Sequence, residues 1–171
     1  MNRIILVGDL VLRYVLGLIM IAYGLIKILE IQFVLPQSVY DIPLKDLDGV
    51  TLVWAFLGFS SWFTVLLGIM EFIPATLVLF RRTKLIGTLL LLPSTFSIFL
   101  INNAYEFLPH MRFFTGILLI INLILIALHY KLFIRVLKEL IFYNNKGKKI
   151  EVTVNILLIF LIVLYIILYL K

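Results

Sequence analysis

Long apolar runs alternate along this chain with short polar stretches. Five runs approach the roughly 20 apolar residues needed to cross about 30 Å of hydrocarbon as a helix. They are Ile4 to Leu29, about Trp54 to Phe80, about Leu85 to Ile101, about Phe113 to Tyr130, and Val152 to Leu170. The first is too long for a signal-peptide core and has no small-residue cleavage pattern, so it reads as an uncleaved span. Between the first two, Glu30 to Val50 carries Pro36, Pro43 and Asp48-Gly49, which predict a loop. Pro93 inside the third run predicts a kink, with Ser94, Thr95 and Ser97 at hand for freed carbonyls.

The polar positions inside the runs are periodic. On the first helix Arg13, Gly17, Met20, Gly24 and Lys27 make one stripe, with Tyr23 beside it. Ser60, Thr64, Gly68, Glu71 and Ala75 make another on the second. Thr88, Thr95 and Asn102 recur every seven residues on the third, and Arg112, Thr115, Asn122 and His129 share a face of the fourth. The fifth has only Asn155 near its start. Polar groups in a span face the bundle interior. The expected fold is therefore all-α: a polytopic integral membrane protein with a four-helix transmembrane bundle over residues 1–130. A basic amphipathic segment follows over 131–150, then a fifth, peripheral transmembrane helix over 151–171.

Charge sets the orientation. With the N-terminus inside, ten Lys and Arg residues lie in cytoplasmic segments, including Arg3, Arg81, Arg82, Lys84, Lys131 and Lys146, against Lys45, Arg112 and Lys171 outside. The positive-inside rule then places the N-terminus in the cytoplasm and the C-terminus outside, in a bacterial inner membrane. The net charge of +6 is thereby explained by topology and not by nucleic acid. Lys131, Arg135 and Lys138 interleave with Leu132, Phe133, Val136 and Leu137, as in a helix lying on anionic lipid. With no cysteine, thiol exchange and thiolate metal sites are excluded within the chain.

Glu71 stands out as a mid-span carboxylate, which needs a partner from another helix or a proton. The candidate intramembrane ion-pair residues are Arg13, Glu71, Arg81 and Arg82. Arg13 is the favoured partner, supported one turn away by Asp9. Tyr23, Lys27, Glu71, Asn102 and Tyr105 are candidate ligand-binding residues, able to offer hydrogen bonds or charge to a lipophilic molecule. His110 and His129 lie about 28 Å apart on one helix, too far to share a haem. No metal-ligand spacing, phosphate-binding glycine loop or catalytic triad is found, and no catalytic residue is assigned.

Several segments resemble the DoxX-like membrane protein family over roughly residues 10–140. They are Arg13-Tyr14, Ala22-Tyr23-Gly24-Leu25-Ile26-Lys27, Ile31-Gln32-Phe33, Trp54-Ala55-Phe56-Leu57-Gly58, Gly68-Ile69-Met70-Glu71, Leu79-Phe80-Arg81-Arg82-Thr83 and Leu100 through Pro109. The resemblance implies a four-helix membrane bundle, and the fifth span departs from that pattern. The family's namesakes resemble subunits of a thiosulfate:quinone oxidoreductase, and other relatives act as membrane assembly factors. The resemblance thus implies a quinone or other lipophilic ligand within a membrane redox system. A non-catalytic assembly or interaction protein is the alternative, with a small transporter subunit behind both. No cofactor is encoded, so redox chemistry would require a partner subunit. The expected partners are the lipid bilayer and a membrane protein or a second copy of the chain.

Overall fold

The computed structural model describes residues 3–142 and 149–169. The described residues are helical apart from turns and connecting segments. In order they form α1 (Arg3–Ile28), two short 3-10 turns (Gln37–Asp41 and Leu44–Asp46), α2 (Gly49–Gly58), α3 (Ser61–Leu79), α4 (Lys84–Ala104), α5 (Pro109–Leu128), α6 (Tyr130–Phe142) and α7 (Lys149–Tyr169). The chain divides after Tyr130 into two compact units.

In the first unit α1, α3, α4 and α5 are each long and apolar enough to span a bilayer. They pack in a ring, α1 on α3, α3 on α4, α4 on α5, and α5 back on α1. Their outward positions are apolar, such as Leu18, Ile73, Leu90 and Ile120, while Arg13, Lys27, Glu71, Thr95 and Asn122 are buried. Apolar outside and polar within is the arrangement hydrocarbon solvent demands, so the protein is a multi-pass membrane bundle. Leu16, Met20, Ala75, Val78, Leu91, Leu118 and Leu125 fill the remaining core.

Two seams hold the ring by different means. Gly24 lies against Gly68, and Gly17 against Ala75, so α1 and α3 run antiparallel with their backbones touching. A Cβ on Gly24 would lie 2.8 Å from the Gly68 carbonyl oxygen, and one on Gly68 would lie 2.6 Å from that of Gly24. Small residues permit this approach, and close packing substitutes for the hydrophobic drive that lipid removes. Between α4 and α5 the seam is polar. Asn102 donates to Thr115 (3.3 Å), and Asn122 and Thr95 are hydrogen-bonded at 3.1 Å. With its amide turned to satisfy both ends, Asn122 donates to the Thr88 carbonyl (3.1 Å) and accepts from Thr95. These rungs descend seven residues on one helix as they climb seven on the other, the signature of a left-handed antiparallel pair.

The second expected span, Trp54 to Phe80, is broken. α2 ends at Gly58, and α3 starts at Ser61 after an extended Ser60. Asp48 caps α2, accepting from the Thr51 amide at 3.0 Å and its hydroxyl at 2.6 Å. These bonds hold the Asp48 carboxyl below the usual carboxylate range. α4 runs through Pro93, and the Thr95 hydroxyl oxygen lies 3.3 and 3.1 Å from the carbonyl oxygens of Leu91 and Leu92, alternative acceptors to Asn122 for its one proton.

In the second unit, α6 carries Lys131, Arg135 and Lys138 on one face and Leu132, Val136 and Leu137 off that face, all of them exposed. The side chains of α7 from Val152 to Leu168 are all exposed. Of the basic segment, residues 143–148, including Lys146 and Lys148, lie outside the described residues, as does Lys171.

Candidate functional site: a buried ion pair beside an apolar cavity

Lys27, in the last turn of α1, is 4% exposed, and Glu71, mid-way along α3, is 5% exposed. The Lys27 ammonium donates to Glu71 Oε1 across the two helices. The two are not level in the antiparallel register, but they converge. A helical side chain leans toward its own N-terminus, so Lys27 leans toward the bundle centre and Glu71 leans back to meet it. The rings of Tyr23 and Phe33 each lie 5.9 Å from the ammonium, within cation–π range. Glu71 Oε2 is buried without a hydrogen-bond partner.

Beside this pair is a cavity of about 100 Å³. Its polar contributors are Lys27, Tyr23, Asn102 and Gln32, and its apolar walls include Phe33, Trp54, Ile98 and Met111. The strand of chain after α1 forms one wall through an uncommon backbone. Phe33 has φ 66°, in the left-handed region, and is held there from two sides. Its ring meets Trp54 edge-on at 5.7 Å, and its carbonyl packs on Gly58, where a Cβ would sit 2.2 Å from that oxygen. Gln32 Oε1 is buried without a partner. Gln32 and Phe33 separate this cavity from a second, more open one of about 270 Å³ toward Tyr40 and Ser61.

A different cluster occupies the other end of the bundle. Lys84 donates to Asp9 Oδ2 at 2.8 Å, Arg13 is ion-paired with the same oxygen at 3.2 Å although its Nε makes no hydrogen bond, and His129 Nε2 lies 3.8 Å from Asp9 Oδ1. Arg13 also donates to the Leu79 carbonyl at the end of α3 (3.1 Å). These groups are packed without appreciable free volume.

The expected partner of Glu71 is therefore corrected from Arg13 to Lys27. Arg13 lies opposite Leu79, about two turns below the level of Glu71, and leans toward its own N-terminus, away from the carboxylate. Arg81 and Arg82 are exposed in the α3–α4 turn and make no ion pair with Glu71. Lys27 points inward and does not snorkel to the membrane surface. Of the five candidate ligand-binding residues, Tyr23, Lys27 and Asn102 line the cavity, and Glu71 stands behind Lys27. Tyr105 does not line it: α4 has ended at Ala104, the Tyr105 residue is 39% exposed, and its backbone packs instead on Gly49.

Sequence reasoning passed over Gln32, Phe33, Trp54 and Met111 as lining residues. Gln32 carried a signal, a polar residue between Ile31 and Phe33 just past a span. The left-handed backbone of Phe33 beside it leaves no mark in periodicity. Among the described residues no three His, Cys, Asp or Glu side chains gather into a metal site.

The chain is similar to the uncharacterized protein YwoB of Bacillus subtilis (strain 168), with 28% identity over 117 residues, 68% of this chain and 73% of the relative. No family model matches the chain. No solved structure matches it.

Proposed function

We propose that this protein binds the ring head of a neutral lipophilic carbonyl compound, of the quinone class, in the cavity beside Lys27. The observation that carries it is a buried ammonium opening, together with the Asn102 amide, onto a space otherwise walled by aromatic and aliphatic side chains. Lys27 has three N–H donors and gives one to Glu71, leaving two for a carbonyl oxygen. Because Glu71 already balances its charge, an anionic ligand would add a second negative charge in a medium of low dielectric, whereas a neutral acceptor would not. The volume, about 100 Å³, is below the roughly 150 Å³ that houses benzene. It fits the leading, carbonyl-bearing edge of a ring whose tail remains among lipid chains.

The likeness to DoxX-like proteins supports the same ligand class and a place as one subunit of a membrane redox system. The lysine and arginine distribution supports a bacterial inner membrane with the N-terminus in the cytoplasm. A non-catalytic assembly role is supported by a separate observation, the exposed and predominantly aliphatic side chains of α7 from Val152 to Leu168.

Trp54 lines the cavity and the chain has two tryptophans, so Trp62→Phe leaves one reporter at the site. Titrating this variant in nanodiscs with a short-tailed benzoquinone should quench its fluorescence saturably. Asn102→Leu should weaken that binding about tenfold, the loss expected for one hydrogen bond to a buried polar group. Quenching that stays linear with concentration and is indifferent to Asn102 would refute ligand binding here. A stoichiometric protein partner recovered without a ligand would favour the assembly role.

A further inference from the structure

We propose that α6 is a docking element for anionic phospholipid. It lies in the membrane surface on the side where α5 ends, with its apolar arc in the acyl boundary and Arg135 and Lys138 on lipid phosphates. α6 has 13 residues and is about 20 Å long. Each residue turns a helix by about 100°, which gathers Leu132, Phe133, Val136 and Leu137 on one side and Lys131, Arg135 and Lys138 on the other. Glu139, at the border of the two arcs, is the one acidic residue of the helix. Leu132, Val136 and Leu137 are exposed, and so are Arg135 and Lys138. Among the described residues neither Arg135 nor Lys138 has an ion-pair partner. In water the apolar arc would stay wet, and in hydrocarbon the cations would lie unpaired. The headgroup layer satisfies both arcs at once.

Chain connectivity supplies the bilayer as the occupant. α5 ends at Leu128 with His129 as its cap, and α6 starts at Tyr130, so a single residue separates α6 from a span. The helix therefore begins where hydrocarbon gives way to headgroups. Charge supplies the kind of lipid. The end of α5 lies beside Asp9, which also holds Lys84, and this end of the bundle carries the exposed Arg81 and Arg82. The loop after α1, at the opposite end, instead sets Asp41, Asp46 and Asp48 against Lys45. The α6 side is thus the basic one, and basic groups beside a membrane favour anionic headgroups. A free phosphate would answer the cations but leave the apolar arc uncovered. A phospholipid answers both, because its phosphate and its acyl chains belong to one molecule.

The chain has no cysteine, so a nitroxide can be attached to the full chain at Val136→Cys on the apolar arc or at Lys131→Cys on the basic arc. In nanodiscs of mixed phosphatidylglycerol and phosphatidylcholine, spin relaxation should show the Val136 position more open to oxygen than to a water-soluble nickel chelate. The Lys131 position should show the reverse. With a dye in place of the nitroxide at Val136→Cys, energy transfer to tail-labelled lipid at trace level should read the lipid around α6. Phosphatidylglycerol should be enriched over phosphatidylcholine about fivefold, the factor for one basic residue near an anionic surface. Arg135→Gln combined with Lys138→Gln should remove most of that enrichment. A Val136 position open to the nickel chelate would place α6 in water, and one closed to both reagents would mean that a protein covers the arc. Either result, or equal transfer to the two lipids, would overturn the proposal. Both glutamine substitutions fall on exposed positions, and the measurements on the parent charge pattern decide without them.

Discussion

Lys27→Met tests the central ion pair. The substitution removes a cation that is 4% exposed and leaves Glu71, 5% exposed, without the charge it is paired with. Breaking one side of a buried pair costs about 3–5 kcal/mol, chiefly because the remaining charge is stranded. A charged residue at the centre of an inserting helix costs about 2.5–3.5 kcal/mol, so the two scales agree. Replacing both residues, Lys27→Met with Glu71→Leu, removes the stranded charge, and such exchanges are often neutral. The pair is therefore expected to show a coupling of about 3 kcal/mol in a double-mutant cycle. At about 2–4 °C per kcal/mol for a chain of this size, the single variant should unfold roughly 6–20 °C lower than the parent. The double variant should stay within about 4 °C of the parent. Thermal unfolding in a mild detergent, followed by tryptophan fluorescence, reads both. Equal losses in the single and double variants would show that Lys27 and Glu71 are not energetically coupled, and the site as described would fall.

Gly24→Ala places a methyl 2.8 Å from two backbone atoms of α3 and should cost about 1–3 kcal/mol, whereas Gly8→Ala, with nothing within 4 Å, should be neutral or slightly stabilising in the same unfolding assay. Asn122→Leu removes the shared rung between α4 and α5 and should cost about 0.6–1.7 kcal/mol, measured by steric trapping in bicelles. Topology reporters fused after Lys84 should report cytoplasm, and those within Asp41 to Gly49 should report the outer side; the reverse pattern would invert the proposed orientation.

The seams were legible because both periodicity and cost are local. A seven-residue recurrence of Thr88, Thr95 and Asn102 names a face, and hydrocarbon forbids that face from pointing outward. The partner of Glu71 was not legible, because a stripe fixes which residues share a face but not how two helices slide past one another. Sliding is set by the contacts of Gly17 and Gly24 with α3, and those glycines read as packing surface without a register. Side-chain lean then decided between Lys27 and Arg13. The break in the second span was masked by hydropathy. Gly58 followed by Ser60 and Ser61 is a stop and a start signal, but Phe56, Leu57, Phe59 and Trp62 keep the window apolar. The cavity depended on Phe33 in a left-handed conformation, which a β-region residue type does not announce.

The placement of Lys27 and Glu71 44 residues apart has a bearing on how the chain is made. At about 5–20 residues per second, roughly 2–9 s separate the synthesis of the lysine from that of its carboxylate. Lys84, which meets Asp9 across 75 residues, emerges later still. During that interval Asp9 and Arg13 balance each other within the first helix, but Lys27 has no partner until Glu71 leaves the ribosome, and release into lipid alone would be costly. The helix is thus a span by hydropathy but an unfinished one by electrostatics. Its lateral exit from the insertion machinery should wait for the third helix, with the two leaving as a pair.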